Sequence, residues 1–152
     1  APRPIELGGA TVRPLGPYDE HDALAVDPAR GENDNSLVVT VGWRGRSLLF
    51  AGDLEADGEA ALLAHAGGAA AAAVVKVPHH GSKTSSTEEF VAATHPSFAV
   101  ISVGERNRWG FPNPGVMARW RGVGARVMRT DRDGGVTVTV DKRGRVAAEG
   151  SL

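Results

Sequence analysis

The sequence predicts an α/β fold built in layers, a mixed β-sheet with flanking helices, formed by a single unit spanning residues 1–152. Three observations carry that prediction. Two short, almost wholly apolar runs, residues 71–77 and 97–103, read as strands buried on both faces, as central parallel strands are. Residues 36–42 and 47–51 are two short, largely apolar runs joined by a turn through Trp43-Arg44-Gly45-Arg46, the pattern of a hairpin. Helical spacing with capping residues recurs between strands, at 55–65, 87–94 and 114–122.

Each element has a local reason. Residues 11–15 form a short apolar stretch that ends at Pro14 and the Gly16-Pro17 turn, a first strand. Residues 18–35, rich in Asp, Glu, Asn, Gly and Pro, have no sustained period and read as a long loop. The hairpin at 36–51 runs directly into Gly52-Asp53. Gly67-Gly68 stops the helix expected at 55–65. The strand at 71–77 ends in Pro78-His79-His80-Gly81 and a hydroxyl-rich loop. Thr87 precedes Glu88 and Glu89, a cap followed by acids that suit a helix N-terminus. Pro114 suits the first turn of another helix, with Val116, Met117 and Trp120 on one side. Strands are expected at 126–129 and 136–140, with a further edge strand at 145–148. No internal repeat is visible.

Composition removes several classes of function. The chain has no cysteine, which excludes disulfides, a thiolate zinc site and a cysteine nucleophile; any metal would be held by oxygen and imidazole alone. No run of about 20 apolar residues exists to span a bilayer, and the N-terminus has no signal-peptide pattern. Charge is unevenly spread: residues 1–60 carry five basic and eleven acidic side chains, residues 61–152 twelve and seven. The basic excess is arginine, whose planar fork suits phosphate oxygens, though the same residues also read as solvated surface charge.

Two strand ends concentrate residues capable of chemistry. Leu49-Phe-Ala-Gly-Asp53 places a carboxylate directly after a buried strand; Asp53 also suits an ordinary helix cap or turn. Val74-Val-Lys-Val-Pro-His79-His80-Gly-Ser82 sets two adjacent imidazoles at a strand terminus. Carboxylate oxygen and neutral imidazole nitrogen are ligands for zinc, manganese or iron, so Asp53 with His79 or His80 is a candidate half of a metal site. His21, His65 and His95 read as surface, helix-end and turn residues.

Asn33-Asp-Asn-Ser36, Leu49-Phe-Ala-Gly-Asp53, Lys76-Val-Pro-His-His-Gly-Ser-Lys-Thr-Ser85, Ile101-Ser-Val-Gly104 with Asn107, and Arg129-Thr-Asp131 follow one another in a family's order and spacing. Over residues 7–140 the chain resembles the C-terminal half of the metallo-β-lactamase-fold domain of ComEC-type competence proteins, membrane proteins that internalise DNA. The resemblance implies half of an αββα sandwich and a metal-dependent hydrolase, a DNA phosphodiesterase or nuclease. It implies Asp53 as a ligand bridging two divalent ions, zinc or manganese. The His79-His80 pair becomes the source of a further ligand, with the choice between them open. Ser82, Lys83, Thr84, Ser85, Arg106 and Asn107 become phosphate-binding groups. The implied partners are DNA, single-stranded or duplex, and, against the exposed sheet face, the N-terminal half of the same domain or a second copy of the chain. The implied location is the extracytoplasmic side of an inner-membrane parent protein.

Two departures from the family pattern bear on activity. The His-x-His-x-Asp-His cluster that supplies most of the family's ligands is absent from this sequence. Gly110-Phe-Pro-Asn-Pro114 stands where relatives resemble Gly-His-Pro-His-Pro, and Phe111 and Asn113 cannot act as imidazoles. A non-catalytic module that binds nucleic acid or scaffolds a DNA channel is therefore the alternative from another class. A hydrolase of some other phosphodiester or ester is the third.

Overall fold

The computed structural model describes residues 3–19, 21 and 23–152; Ala1, Pro2, Glu20 and Asp22, part of the N-terminal stretch and of the expected loop, lie outside the described residues. Among the described residues, nine strands and four α-helices follow in the order β1 (Ile5–Leu7), β2 (Ala10–Gly16), β3 (Val38–Trp43), β4 (Arg46–Phe50), α1 (Ala56–Ala66), β5 (Val74–Lys76), α2 (Glu88–Thr94), β6 (Phe98–Ile101), α3 (Pro114–Gly122), β7 (Arg126–Arg129), α4 (Thr130–Asp133), β8 (Val136–Val140) and β9 (Val146–Gly150). The first seven strands form one mixed sheet in sequence order. β1 to β4 run as an antiparallel meander, and β4 to β7 are parallel.

Three successive parallel crossovers in one direction place α1, α2 and α3 on the same face of the sheet. Strand alternation shows that face directly. Leu49, Val75 and Ala99 are in register across β4, β5 and β6 and are fully buried. They join Leu62 of α1, Phe90 and Val91 of α2, and Val116 and Trp120 of α3 in one core. Phe90 and Trp120 meet edge to face, 6.2 Å between centroids, and the Trp120 indole N–H donates to Ser86 Oγ at 3.2 Å. The expected Thr87 cap is present, its hydroxyl accepting from Phe90 N–H, and the structure adds a cap at α3, where Asn113 Oδ1 accepts from Gly115 N–H.

The opposite face carries Val74 and Met128, buried outside the main core, and Phe50, which is exposed. β8 and β9 pair only with each other, so the expected edge strand at 145–148 is one arm of a separate ribbon. The ribbon is tied to the sheet where Arg46 Nε donates to Gly144 O at 2.7 Å, and β9 lies beside Phe98 and Arg126. Two elements were not expected from the sequence: the three-residue β1, joined to β2 through Gly8-Gly9, and the single turn α4. No helix among the described residues is long and apolar enough to cross a membrane.

Candidate functional site

The parallel half of the sheet delivers three loops to one end, beyond the C-termini of β4, β5 and β6, where open α/β sheets gather ligands. Asp53, His79, His80, Val103, Gly104, Asn107, Trp109 and Phe111 line a cavity of about 380 Å³ there. Of these, Asp53, His79, His80 and Asn107 are the residues that the sequence points to.

Asp53 is positioned by backbone. Gly52 takes φ +58°, and a Cβ on it would lie 2.6 Å from Ser36 Cβ, so the chain approaches Ser36 closely at a residue without a side chain. Ser36 Oγ then accepts the Asp53 N–H at 3.0 Å. The Gly52 carbonyl is held from the neighbouring strand by Lys76 Nζ at 2.9 Å and by the His79 N–H at 3.2 Å. Lys76 Nζ also lies 3.5 Å from Asp53 Oδ1. Burial pushes the Lys76 amine down from its usual range, and the Asp53 charge opposes that shift.

The two histidines occupy left-handed backbone, φ +45° at His79 and +53° at His80, a conformation that non-glycine residues adopt at a cost. The kink separates their rings. His80 Nδ1 is 2.6 Å from Ser102 O, and because a carbonyl only accepts, Nδ1 carries the proton. In the neutral ring, Nε2 is then the free lone pair, and it faces Asp53 Oδ1 at 3.7 Å. His79 Nδ1 lies 3.0 Å from Glu55 Oε1, close but off the line of a ring hydrogen bond, and the atom is buried without an aligned partner. Its ring packs edge to face on Phe111 at 5.7 Å. Of the two, His80 is the imidazole directed at Asp53.

The other named residues are placed as follows. Ser82 and Ser85 are buried; the Ser85 hydroxyl donates to Pro78 O and Ser82 O, both at 3.0 Å. The Ser82 and Thr84 hydroxyls share a bond of 2.9 Å, and Thr84 also donates to Glu55 Oε1 at 2.7 Å. Lys83 and Arg106 are exposed. The Asn107 amide clamps its own loop, donating to Phe111 O at 2.9 Å and accepting from Phe111 N–H at 2.8 Å. Thr130 Oγ1 ties the end of β6 to β7 through Val103, accepting its N–H at 2.7 Å and donating to its carbonyl at 2.8 Å. Arg129 grips Asp131 with two hydrogen bonds, 2.9 and 2.6 Å, which hold that carboxyl below its usual range. Arg-Thr-Asp thus acts as a clip behind the cavity. His65 stacks on Tyr18 at 4.5 Å, and His95 ends α2; neither lines this cavity.

The donor chemistry fits a divalent cation, and the donor number does not. Asp53 and His80 offer one carboxylate and one imidazole, whereas catalytic zinc sites use three protein ligands. Among the described residues no group of three or more His, Asp or Glu is placed to hold an ion. Lys76, beside Asp53, adds a positive charge that opposes a cation there. Lys76, Glu55 and Trp109 are the site residues that sequence reasoning missed.

Over 110 residues, 72% of the chain, it is 39% identical to "ComE operon protein 3" of Bacillus subtilis (strain 168). It is 36% identical over 113 residues to "Competence protein ComA" of Neisseria gonorrhoeae and 37% over 109 residues to "Recombination protein 2" of Haemophilus influenzae, covering 74% and 72% of the chain. The chain belongs to the ComEC-type competence family. It spans only 14–16% of the length of these family members. No family model matches it.

Proposed function

We propose that this chain is the part of a ComEC-type DNA-uptake protein that contributes Asp53 and His80 to a metal-dependent phosphodiesterase site acting on DNA. The observation that carries the reading is the approach of Asp53 Oδ1 and His80 Nε2 to 3.7 Å at the open end of the parallel strands, with His80 Nδ1 turned to the Ser102 carbonyl. A zinc or manganese ion bound there would supply positive charge for phosphate and a more acidic water. The chain's own residues do the rest: Ser36 and Lys76 fix the carboxylate, Ser102 fixes the imidazole tautomer, and the 82–85 loop braces the histidine turn. The remaining ligands come from outside this chain. The sheet face bearing Phe50 then packs against the other half of a metallo-β-lactamase sandwich, or against a second copy when that half is missing. We place this site in an inner-membrane parent protein, on the extracytoplasmic side.

The 152-residue chain alone should take up Mn²⁺ or Zn²⁺ weakly and show negligible nuclease activity. A longer polypeptide that completes the ligand set should cleave DNA and lose at least 100-fold in rate on Asp53→Asn or His80→Ala, on the order of the loss expected when a catalytic ligand is removed. Fluorescent-substrate cleavage with and without chelator checks both. Full activity in the Asp53→Asn form would discard the proposal.

One observation favours a non-catalytic module. Asn113 caps α3 and Phe111 packs on His79, so the Gly-Phe-Pro-Asn-Pro loop serves structure and offers no proton-transfer group. Oligonucleotide binding with a steep salt dependence, unchanged by chelator or His80→Ala, and no cleavage by the longer polypeptide, would establish that module instead.

A further inference from the structure

We propose that the loop between β6 and α3 presents Trp109 as a stacking platform for an unpaired nucleobase, so that the cavity receives single-stranded nucleic acid. This rests on the reading of the cavity as a DNA site and names the form of its substrate. Trp109 is 63% exposed, a large apolar area left in water, and its ring lines the cavity that holds Asp53 and His80. The ring is held in place. Phe111 lies 14° from parallel with it at 6.2 Å and is itself seated on His79, while the Asn107 amide clamps the loop between Gly104 and Phe111. A rigid, exposed indole binds a flat partner at little cost in ordering.

The surrounding charge suits a nucleotide. The exposed Arg108 guanidinium covers one face of the Trp109 ring at 4.7 Å, so a base that stacks on that face takes its place, and Arg108 with the exposed Arg106 on the same loop then supplies cations for the flanking phosphates. In a duplex, base faces are covered by their neighbours in the stack; a single strand or a frayed end offers them. Stacking is also indifferent to base identity, as expected for a protein that handles DNA of any sequence.

The test uses the 152-residue chain with chelator present throughout, so that binding is read without cleavage. Fluorescence anisotropy would compare three labelled probes: oligothymidylate of about 12 nucleotides, the same length made wholly abasic, and a blunt duplex. Trp109→Ala should weaken oligothymidylate binding by roughly 5- to 150-fold, with Trp109→Phe retaining most of the affinity. The abasic probe should bind wild type and Trp109→Ala alike. Near-ultraviolet circular dichroism of the buried Trp120 confirms that each variant is folded. The proposal is overturned if wild type shows no saturable binding to oligothymidylate, if Trp109→Ala leaves that binding unchanged, or if it weakens all three probes equally. These outcomes are separable from the hydrolase reading, because Asp53→Asn should abolish cleavage in the longer polypeptide while leaving the Trp109 effect on binding intact.

Discussion

Residue by residue, the candidate site is set by backbone torsions more than by side-chain packing. Left-handed φ at His79 and His80 turns the two rings apart, and left-handed φ at Gly52 brings Asp53 onto Ser36. Replacing Gly52 tests the second of these. In Gly52→Ala the new Cβ would meet Ser36 Cβ at 2.6 Å and Oγ at 2.8 Å, on top of the cost of a side chain at that φ. The variant should lose about 1–3 kcal/mol of stability, read by urea denaturation, and its Asp53 amide resonance should shift markedly as the bond to Ser36 Oγ is lost. An unchanged amide shift would show that the close approach does not position the carboxylate. The histidine pair and Asp53 stood out in the sequence because each follows a buried strand. Lys76 did not, since it closes an apolar run that reads as featureless core. Only the pairing of Phe50 with Lys76 between β4 and β5 shows that this amine reaches the Gly52 carbonyl.

The elements behind the site depend on one buried carboxylate. Glu59 lies on α1 in a helix whose pattern suggests an ordinary acidic first turn, yet it is fully buried and accepts the N–H groups of Ser86 at 2.5 Å and Thr87 at 2.8 Å. It thereby joins α1 to the start of α2 and fixes the end of the loop that carries Ser82 and Ser85. Glu59→Ala strands two buried donors and should cost about 2–4 kcal/mol. Burial pushes the Glu59 carboxyl above its usual range. Between the ordinary carboxylate pKa of about 4.3 and the raised value, the folded state binds more protons than the unfolded one. Stability from this group is therefore greatest at low pH and is lost as pH rises through the raised pKa. Glu59→Gln should remove that slope in denaturation midpoints measured from about pH 4 upward; an identical slope in both proteins would assign it to another group. Helix periodicity could not reveal this residue, because its partners come from a loop 27 and 28 positions away. By contrast, α2 and α3 were readable from Thr87, Pro114 and their apolar spacing. β1 and α4, three and four residues long, were too short for any period to register.

Across the whole molecule, one sheet face carries the helical core and the other is shared between the β8–β9 ribbon and exposed side chains such as Phe50. The ribbon's tie to the sheet is narrow. Gly144 takes φ +74°, and a Cβ there would lie 2.8 Å from the Arg44 carbonyl oxygen, a backbone atom that cannot swing aside. Gly144→Val should loosen the ribbon, costing about 1–3 kcal/mol, with hydrogen exchange accelerating in β8 and β9 ahead of β4 to β7. Uniform acceleration would mean that the ribbon and sheet open together. The change from antiparallel to parallel pairing at β4 also has a kinetic side. The meander from β1 to β4 contains a tight hairpin between β3 and β4, whereas β4 to β7 require helical crossovers to close first. Asp53, His80 and Trp109 follow three strands that meet only through those crossovers, so the cavity is among the last features to assemble during refolding. Recovery of oligonucleotide binding would then serve as a clock for completion of the fold, trailing the appearance of β-structure.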